Sequence, residues 1–208
     1  MTGSVCTILQ FITRITIVRV MAHLTSSVEY GIHCLLWLVG AGEKQPSSRD
    51  LAELQGISPS FVAKIFPKLE KAGIVNSNQG LNGGYRLAKP AADITVLAIV
   101  DAIEGNKPLF GCQEIRASCA LFAGAAPRWA TNGVCAIHAV MLRAEKSMRD
   151  TLAQETLADL AQKLAHKAPE NFGRSVHLWL DSRGTARRLS RAVRKLDRQS
   201  DPPRGRTR

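Results

Sequence analysis

The chain has 208 residues, 45% of them apolar, which is enough to bury one sizeable core with appendages. Its formal charge of +11 is uneven: residues 171–208 hold eleven Lys/Arg against three Asp/Glu, residues 1–21 add two arginines, and residues 22–170 keep only +1. A polyanionic partner must therefore be argued from motifs rather than from net charge, and five cysteines, an odd set without an export signal, argue against a disulfide framework.

The first apolar run, TILQFITRITIVRV, is interrupted by Arg14 and Arg19, so it makes neither a signal peptide nor a membrane span. No other stretch could cross a bilayer, and the cytoplasm is the expected compartment. From Thr25 onward Val28, Ile32, Leu35, Leu36 and Val39 recur at helical spacing until Gly40 and Gly42 end the run. The segment SSRDLAELQGISPSFVAKIFPKLEKAGIV then holds two capped helices joined by a glycine-containing turn. Ser47 or Ser48 caps the first, and Ser58 followed by Pro59 starts the second. In the second helix Val62, Ile65, Phe66 and Leu69 form the inward stripe, and Pro67 is expected to bend its last turns. IVNSNQGLNGGYRLAKP reads as strand, glycine-rich turn and strand, stopped by Pro90. A helix-turn-helix followed by a hairpin is a winged helix, so the expected fold is mainly α with a small β wing.

ITVLAIVDAIEG is one more helix, closed by Gly105. Residues 106–133 are irregular and contain Cys112 and Cys119. A long helix follows, with Ile137, Met141, Ala144, Met148 and Leu152 in one stripe. That stripe fits a dimer interface or packing on its own domain equally well. After the short capped piece TLADLAQKLAHKA, residues 171–208 are read as a basic tail, disordered or forming a basic helix up to Pro202, that adds nonspecific, salt-sensitive affinity for a polyanion.

The winged helix carries a DNA mechanism. A recognition helix offers its N-terminal residues to the major groove, while a wing lays backbone amides and a cation along phosphates or in the minor groove. The candidate contacts are Ser58, Ser60, Phe61, Lys64 and Lys68 on the helix, with Gln79, Gly83, Gly84, Tyr85 and Arg86 in the wing. Phe61 suits a thymine methyl. The plainer reading is a protein-binding module with solvated lysines.

Cys135 and His138, three apart on a helix, share a face and could reach one ion; two core residues would look the same. A cysteine beside a histidine also raises a thiol nucleophile and its base. No third orienting residue or oxyanion loop accompanies them, and GLNGGY does not fit a dinucleotide fingerprint, so no enzyme is expected.

LTSSVEYGIHCLLWL, QGISPSFVAKIFPKLEKAGIV and the wing GLNGGYRL together resemble the bacterial winged-helix transcription regulators of the IscR, NsrR and RirA type, over residues 22–165. The resemblance implies a homodimer on a partly palindromic double-stranded operator, with repression as the commoner outcome. It begins at Met21, which makes residues 1–21 an N-terminal extension, residues 22–90 the DNA-binding domain and residues 91–170 the helix, cysteine loop and dimerisation helix. Relatives that carry an iron–sulfur cluster supply three cysteines from the loop before that helix, some with a histidine shortly after. The matching residues are Cys112, Cys119, Cys135 and His138, for a 2Fe–2S or 4Fe–4S cluster, and a first-helix carboxylate such as Glu29 is a further ligand in some relatives. The departure is the 15-residue gap between Cys119 and Cys135. Zinc, or thiols used for redox sensing without a metal, are the alternatives.

Overall fold

Eight α-helices, two strands and three short 3-10 turns, built from residues 24–42, 45–78 and 83–200, make up what the computed structural model describes. Residues 1–21 with Cys6, then His23, the wing residue Gln79 and the last eight residues lie outside them. Helix α1 (Ser26–Leu36) begins at Thr25, whose hydroxyl accepts from the Ser27 amide at 3.3 Å. Helix α2 (Ser48–Gln55) begins with a full capping box: the Ser47 hydroxyl accepts from the Asp50 amide at 3.3 Å and Asp50 Oδ2 accepts from the Ser47 amide at 2.8 Å. Gly56 ends α2 in the left-handed region, φ 71°, which turns the chain into helix α3 (Pro59–Lys71). Helix α3 continues through Pro67, which cannot donate to the Ala63 carbonyl.

Strands β1 (Val75–Asn78) and β2 (Gly84–Leu87) pair antiparallel, Val75 opposite Leu87 and Asn78 opposite Gly84, which is the expected wing. A short 3-10 turn (Ala91–Asp93) leads to helix α4 (Val96–Glu104). The start of α4 is paired with the start of helix α7 (Leu157–Lys167): Val96 N–H donates to Glu155 O and Leu157 N–H donates to Ile94 O, both 2.8 Å. Two helix starts thus satisfy each other's amides across more than fifty residues of chain.

The core runs without a break through α1, α2, α3, β1 and α4 to Leu157, with Phe66, Leu35, Leu51, Leu69, Ile74, Ile94 and Ile99 fully buried. It crosses the sequence boundary at residue 90. Between α4 and the long helix α6 (Ala136–Gln154) lies the cysteine loop, with 3-10 turns at Ile115–Ser118 and Ala120–Phe122 and the four-residue helix α5 (Arg128–Thr131). Helix α6 is fastened to α4 by the Arg149 guanidinium, which donates to both oxygens of Asp101 at 2.9 Å.

The α6 stripe divides between the two uses its periodicity allowed. Met141, Met148 and Leu152 are half-buried, Leu152 against the core, whereas Ile137 and Ala144 are exposed together with Val140. Within the segment read as a basic tail, residues Phe172–Ser200 form a helix, α8. Its first turn finds an apolar neighbour in Trp37, the residue that ends α1, the two rings 6.1 Å apart, and further along Leu180 is buried.

Candidate DNA interface and cysteine loop

The N-terminal half of α3 is held open to solvent by what supports it from behind. Val62, Ile65, Phe66 and Leu69 are buried, and the 3.6-residue period leaves Ser60, Phe61 and Lys64 on the outer face. Phe61 is 40% exposed and braced edge-on by Tyr30 of α1, ring centroids 5.2 Å apart. Ser58 caps α3, and its hydroxyl lies 2.9 Å from that of Ser60, so the two present one polar cluster at the helix start. An exposed apolar ring held rigid beside two hydroxyls and a lysine can read a base edge with its methyl group.

Lys68 behaves differently from Lys64. Its ammonium donates to the Ile103 carbonyl in the last turn of α4 at 2.7 Å, where the helix dipole favours a cation. Sequence spacing put both lysines on one face; only the docking of α4 against α3 separates them.

The wing is tied to α2 by close approach. A Cβ on Gly84 would lie 2.1 Å from the Gln45 carbonyl oxygen, and the next residue, Tyr85, donates its amide to Pro46 O at 3.0 Å. Gly84 is therefore required by packing, beyond the turn flexibility that glycine-rich spacing suggests. Tyr85 stands half-buried against Phe66, ring centroids 4.5 Å, and burial first, then the charge of Glu70, pushes its phenol above the usual range. Gly83 is half-buried and Arg86 is exposed. Between the α2 start and the wing lies a depression of about 380 Å³ edged by Ser47, Ser48, Ser77 and Gly83. Its α2 side presents helix N-terminal dipole.

In the cysteine loop the organising residue is one that sequence reasoning passed over. Arg116 donates to the carbonyls of Thr131 at 3.2 Å, Asn132 at 3.5 Å and Gly133 at 2.9 Å, and pairs with Glu114 through Nε and Nη2. One guanidinium thus ties the first half of the loop to the turn before Cys135. Its hydrogen bond to Glu114 first, then the charges of Glu114, Cys135 and Cys112, favour its charged form; Glu114 is held below the usual carboxylate range by Arg116 and, more weakly, by His138. Cys112, Cys135 and His138 therefore share one electrostatic neighbourhood around this pair.

Cys135 is half-buried at the residue before α6, and the His138 ring faces Phe110 at 6.1 Å. Cys112 is half-buried and Cys119 is exposed. Three thiols and an imidazole are the soft donor set that iron–sulfur clusters and zinc take. Among the described residues, however, no three Cys, His, Asp or Glu side chains converge as ligands would, so a centre using all four needs a rearranged loop. Glu29 is exposed on α1. Cys34 stands apart from this chemistry: it is buried in the core, and desolvation pushes its thiol up to about 12.

The profile of the family described as "Rrf2: Iron-dependent Transcriptional regulator" matches residues 24–163. The protein rrf2 of Nitratidesulfovibrio vulgaris is 37% identical over 149 residues, 71% of this chain and 92% of that protein. The HTH-type transcriptional regulator NsrR of Geobacillus kaustophilus is 32% identical over 143 residues, 68% of this chain and 91% of its own length. Among solved structures, T. potens IscR superposes with a TM-score of 0.52 at 26% identity, covering 70% of this chain and 91% of that one. Among the described residues no helix is long and apolar enough to cross a membrane.

Proposed function

The chain belongs to the Rrf2 family of transcriptional regulators, and on that footing we propose that it is a cytoplasmic, homodimeric repressor whose hold on a partly palindromic operator is set by the state of Cys112, Cys119, Cys135 and His138. The observation that carries the DNA half is the outer face of α3, with Phe61 braced by Tyr30 beside Ser58, Ser60 and Lys64. In this reading those residues enter the major groove, phosphates meet the α2 start and the backbone at Gly83 and Gly84, and Gln79 and Arg86 follow the wing into the neighbouring groove. Tyr85 supports the wing from inside, and Lys68 joins the contact only by leaving Ile103. The exposed Ile137, Val140 and Ala144 of α6 meet the same face of a second copy, and twofold symmetry then calls for two half-sites.

An iron–sulfur cluster on Cys112, Cys119, Cys135 and His138 would supply a centre that redox change, nitric oxide or iron supply could alter. The chain's own residues would carry that change onward. Cys135 and His138 lie at the start of α6, Arg149 fastens α6 to Asp101 of α4, and Lys68 links the end of α4 to α3. A loop that is gathered and a loop that is released would thus hold α3 differently, which is the differential contact a switch requires. The exposure of Cys119, apart from the Arg116 neighbourhood, favours a second reading in which thiol oxidation replaces the cluster. No family relative reported above is named as an enzyme.

Purification without oxygen, followed by an absorption spectrum and iron, sulfide and zinc analysis, separates these readings. Visible absorbance with stoichiometric iron and sulfide, lost in Cys112→Ala, Cys119→Ala and Cys135→Ala, supports the cluster. A colourless protein that remains free of iron and zinc when offered both, and shifts duplex DNA only after reduction of its thiols, supports thiol sensing.

A further inference from the structure

Helix α8 lies beyond the residues that the family profile matches, yet it is docked on the helix-turn-helix. Phe172, Val176 and Leu180, four residues apart, share one helix face: the Phe172 ring lies 6.1 Å from Trp37, Val176 is half-buried and Leu180 is buried. Trp37 in turn donates from Nε1 to Gln55 of α2 at 2.9 Å. Three residues past Leu180, Arg183 forms an ion pair with Glu53 of α2 and lies over the Trp179 ring, 4.8 Å from its centroid.

At Arg183 the docking face changes character. The sequence continues with Arg187, Arg191, Arg194 and Arg198, at intervals of four, four, three and four, so these positions keep the register of Phe172, Val176 and Leu180. By sequence register, the positions of this series are apolar up to Leu180 and arginine from Arg183 onward. The change falls at Glu53, three residues before Gly56 in the turn that leads into α3. From Arg183 to Ser200 the helix extends about 26 Å, the rise of seven or eight base pairs. Residues 22–170 carry a net charge of only +1, whereas residues 183–198 hold seven Lys/Arg against one Asp. The electrostatic attraction for a polyanion is concentrated in this helix rather than in the body that reads sequence.

We propose that the basic half of α8 is a second DNA-contacting arm, anchored on α2 by the ion pair of Arg183 with Glu53 and laid along the phosphate backbone beside the operator. The inference rests on the DNA-binding reading above. It adds affinity and footprint without base recognition, because phosphate contacts position a protein and carry no sequence information.

The test uses the full chain, a 40-base-pair duplex holding an operator chosen by in vitro selection, and a scrambled duplex of equal length. The variant R187Q/R191Q/R194Q/R198Q keeps helix-compatible side chains, and circular dichroism checks its helicity. Each phosphate contact contributes about 0.9 to the slope of log affinity against log salt. The slope should fall by about 3 or more per dimer in this variant, the preference for operator over scrambled duplex should persist, and the matching fourfold Arg→Lys variant should retain the slope. An unchanged slope in the glutamine variant overturns the arm while leaving the winged-helix reading standing. So does tighter binding to a 40-nucleotide single-stranded RNA than to the duplex, or loss of operator preference in a variant of normal helicity. Failure of the wild-type chain to bind any duplex overturns both.

Discussion

Gly84 of the wing lies so close to the Gln45 carbonyl that a Cβ there would sit 2.1 Å from its oxygen, and this contact sets the distance between the wing and the start of α2. The obstruction is backbone, which cannot rotate away as a side-chain tip would. Gly84→Ala should therefore destabilise the fold by about 2 kcal/mol or more in chemical denaturation and weaken duplex binding further by displacing the wing. Gly111→Ala, with nothing within 4 Å of the added carbon, should change neither. Equal stability of the two variants would show that the wing yields freely.

Lys64 and Lys68 should separate in the same assay. Lys64 is exposed on the outer face of α3, so Lys64→Ala should lower the salt slope by about 1 per protomer. Lys68 donates to Ile103 O, so Lys68→Ala should act chiefly on the junction of α3 with α4 and appear as a lower melting temperature. Equal slope losses from both would mean that Lys68 leaves its carbonyl when DNA arrives.

Cys34 predicts an alkaline limit. Its thiol is raised from 9.0 to about 12 by burial, so above pH 9 an unfolded chain loses a proton that the folded one keeps. Stability then falls as pH rises from about 9 towards 12, and below pH 9 the group contributes no slope. Replacing Cys34 with Ala should remove part of this slope in denaturation curves measured between pH 8 and 10.5. At pH 8, iodoacetamide should modify Cys119 readily and spare Cys34 until the protein unfolds.

Arg116 should be a loop organiser whether or not a metal is bound. Removing its guanidinium in Arg116→Ala leaves the Thr131, Asn132 and Gly133 carbonyls without that donor and unties Glu114. Residues 106–135 should then be cut faster by protease and exchange amide hydrogens faster, with the melting temperature of the core little changed. Unaltered proteolysis would place the ordering of this loop elsewhere.

Much of this molecule is legible in its local sequence, because a helix or hairpin needs only the right period and the right ends. The α1 stripe, the Ser47 and Ser58 caps, Gly56 in the turn and the strands on either side of the wing glycines all declare themselves within a dozen residues. The same is true of the outer face of α3, since four buried positions leave the others outside.

What the period cannot state is which neighbour an element meets, and that was decided by docking. Met148 and Ile137 read as one stripe until α4 covers one side of α6 through Asp101 and Arg149. Residues 172–200 hold too few apolar side chains to form a core of their own, yet Phe172 finds an apolar surface once Trp37 and α7 are folded beside it. In the cysteine loop the donors are visible by type, but their separation depends on the long reach of Arg116 to carbonyls fifteen to seventeen residues away. Periodicity is a property of adjacent residues, whereas the choice of partner is made by surfaces far apart in the chain that become neighbours only when the core closes.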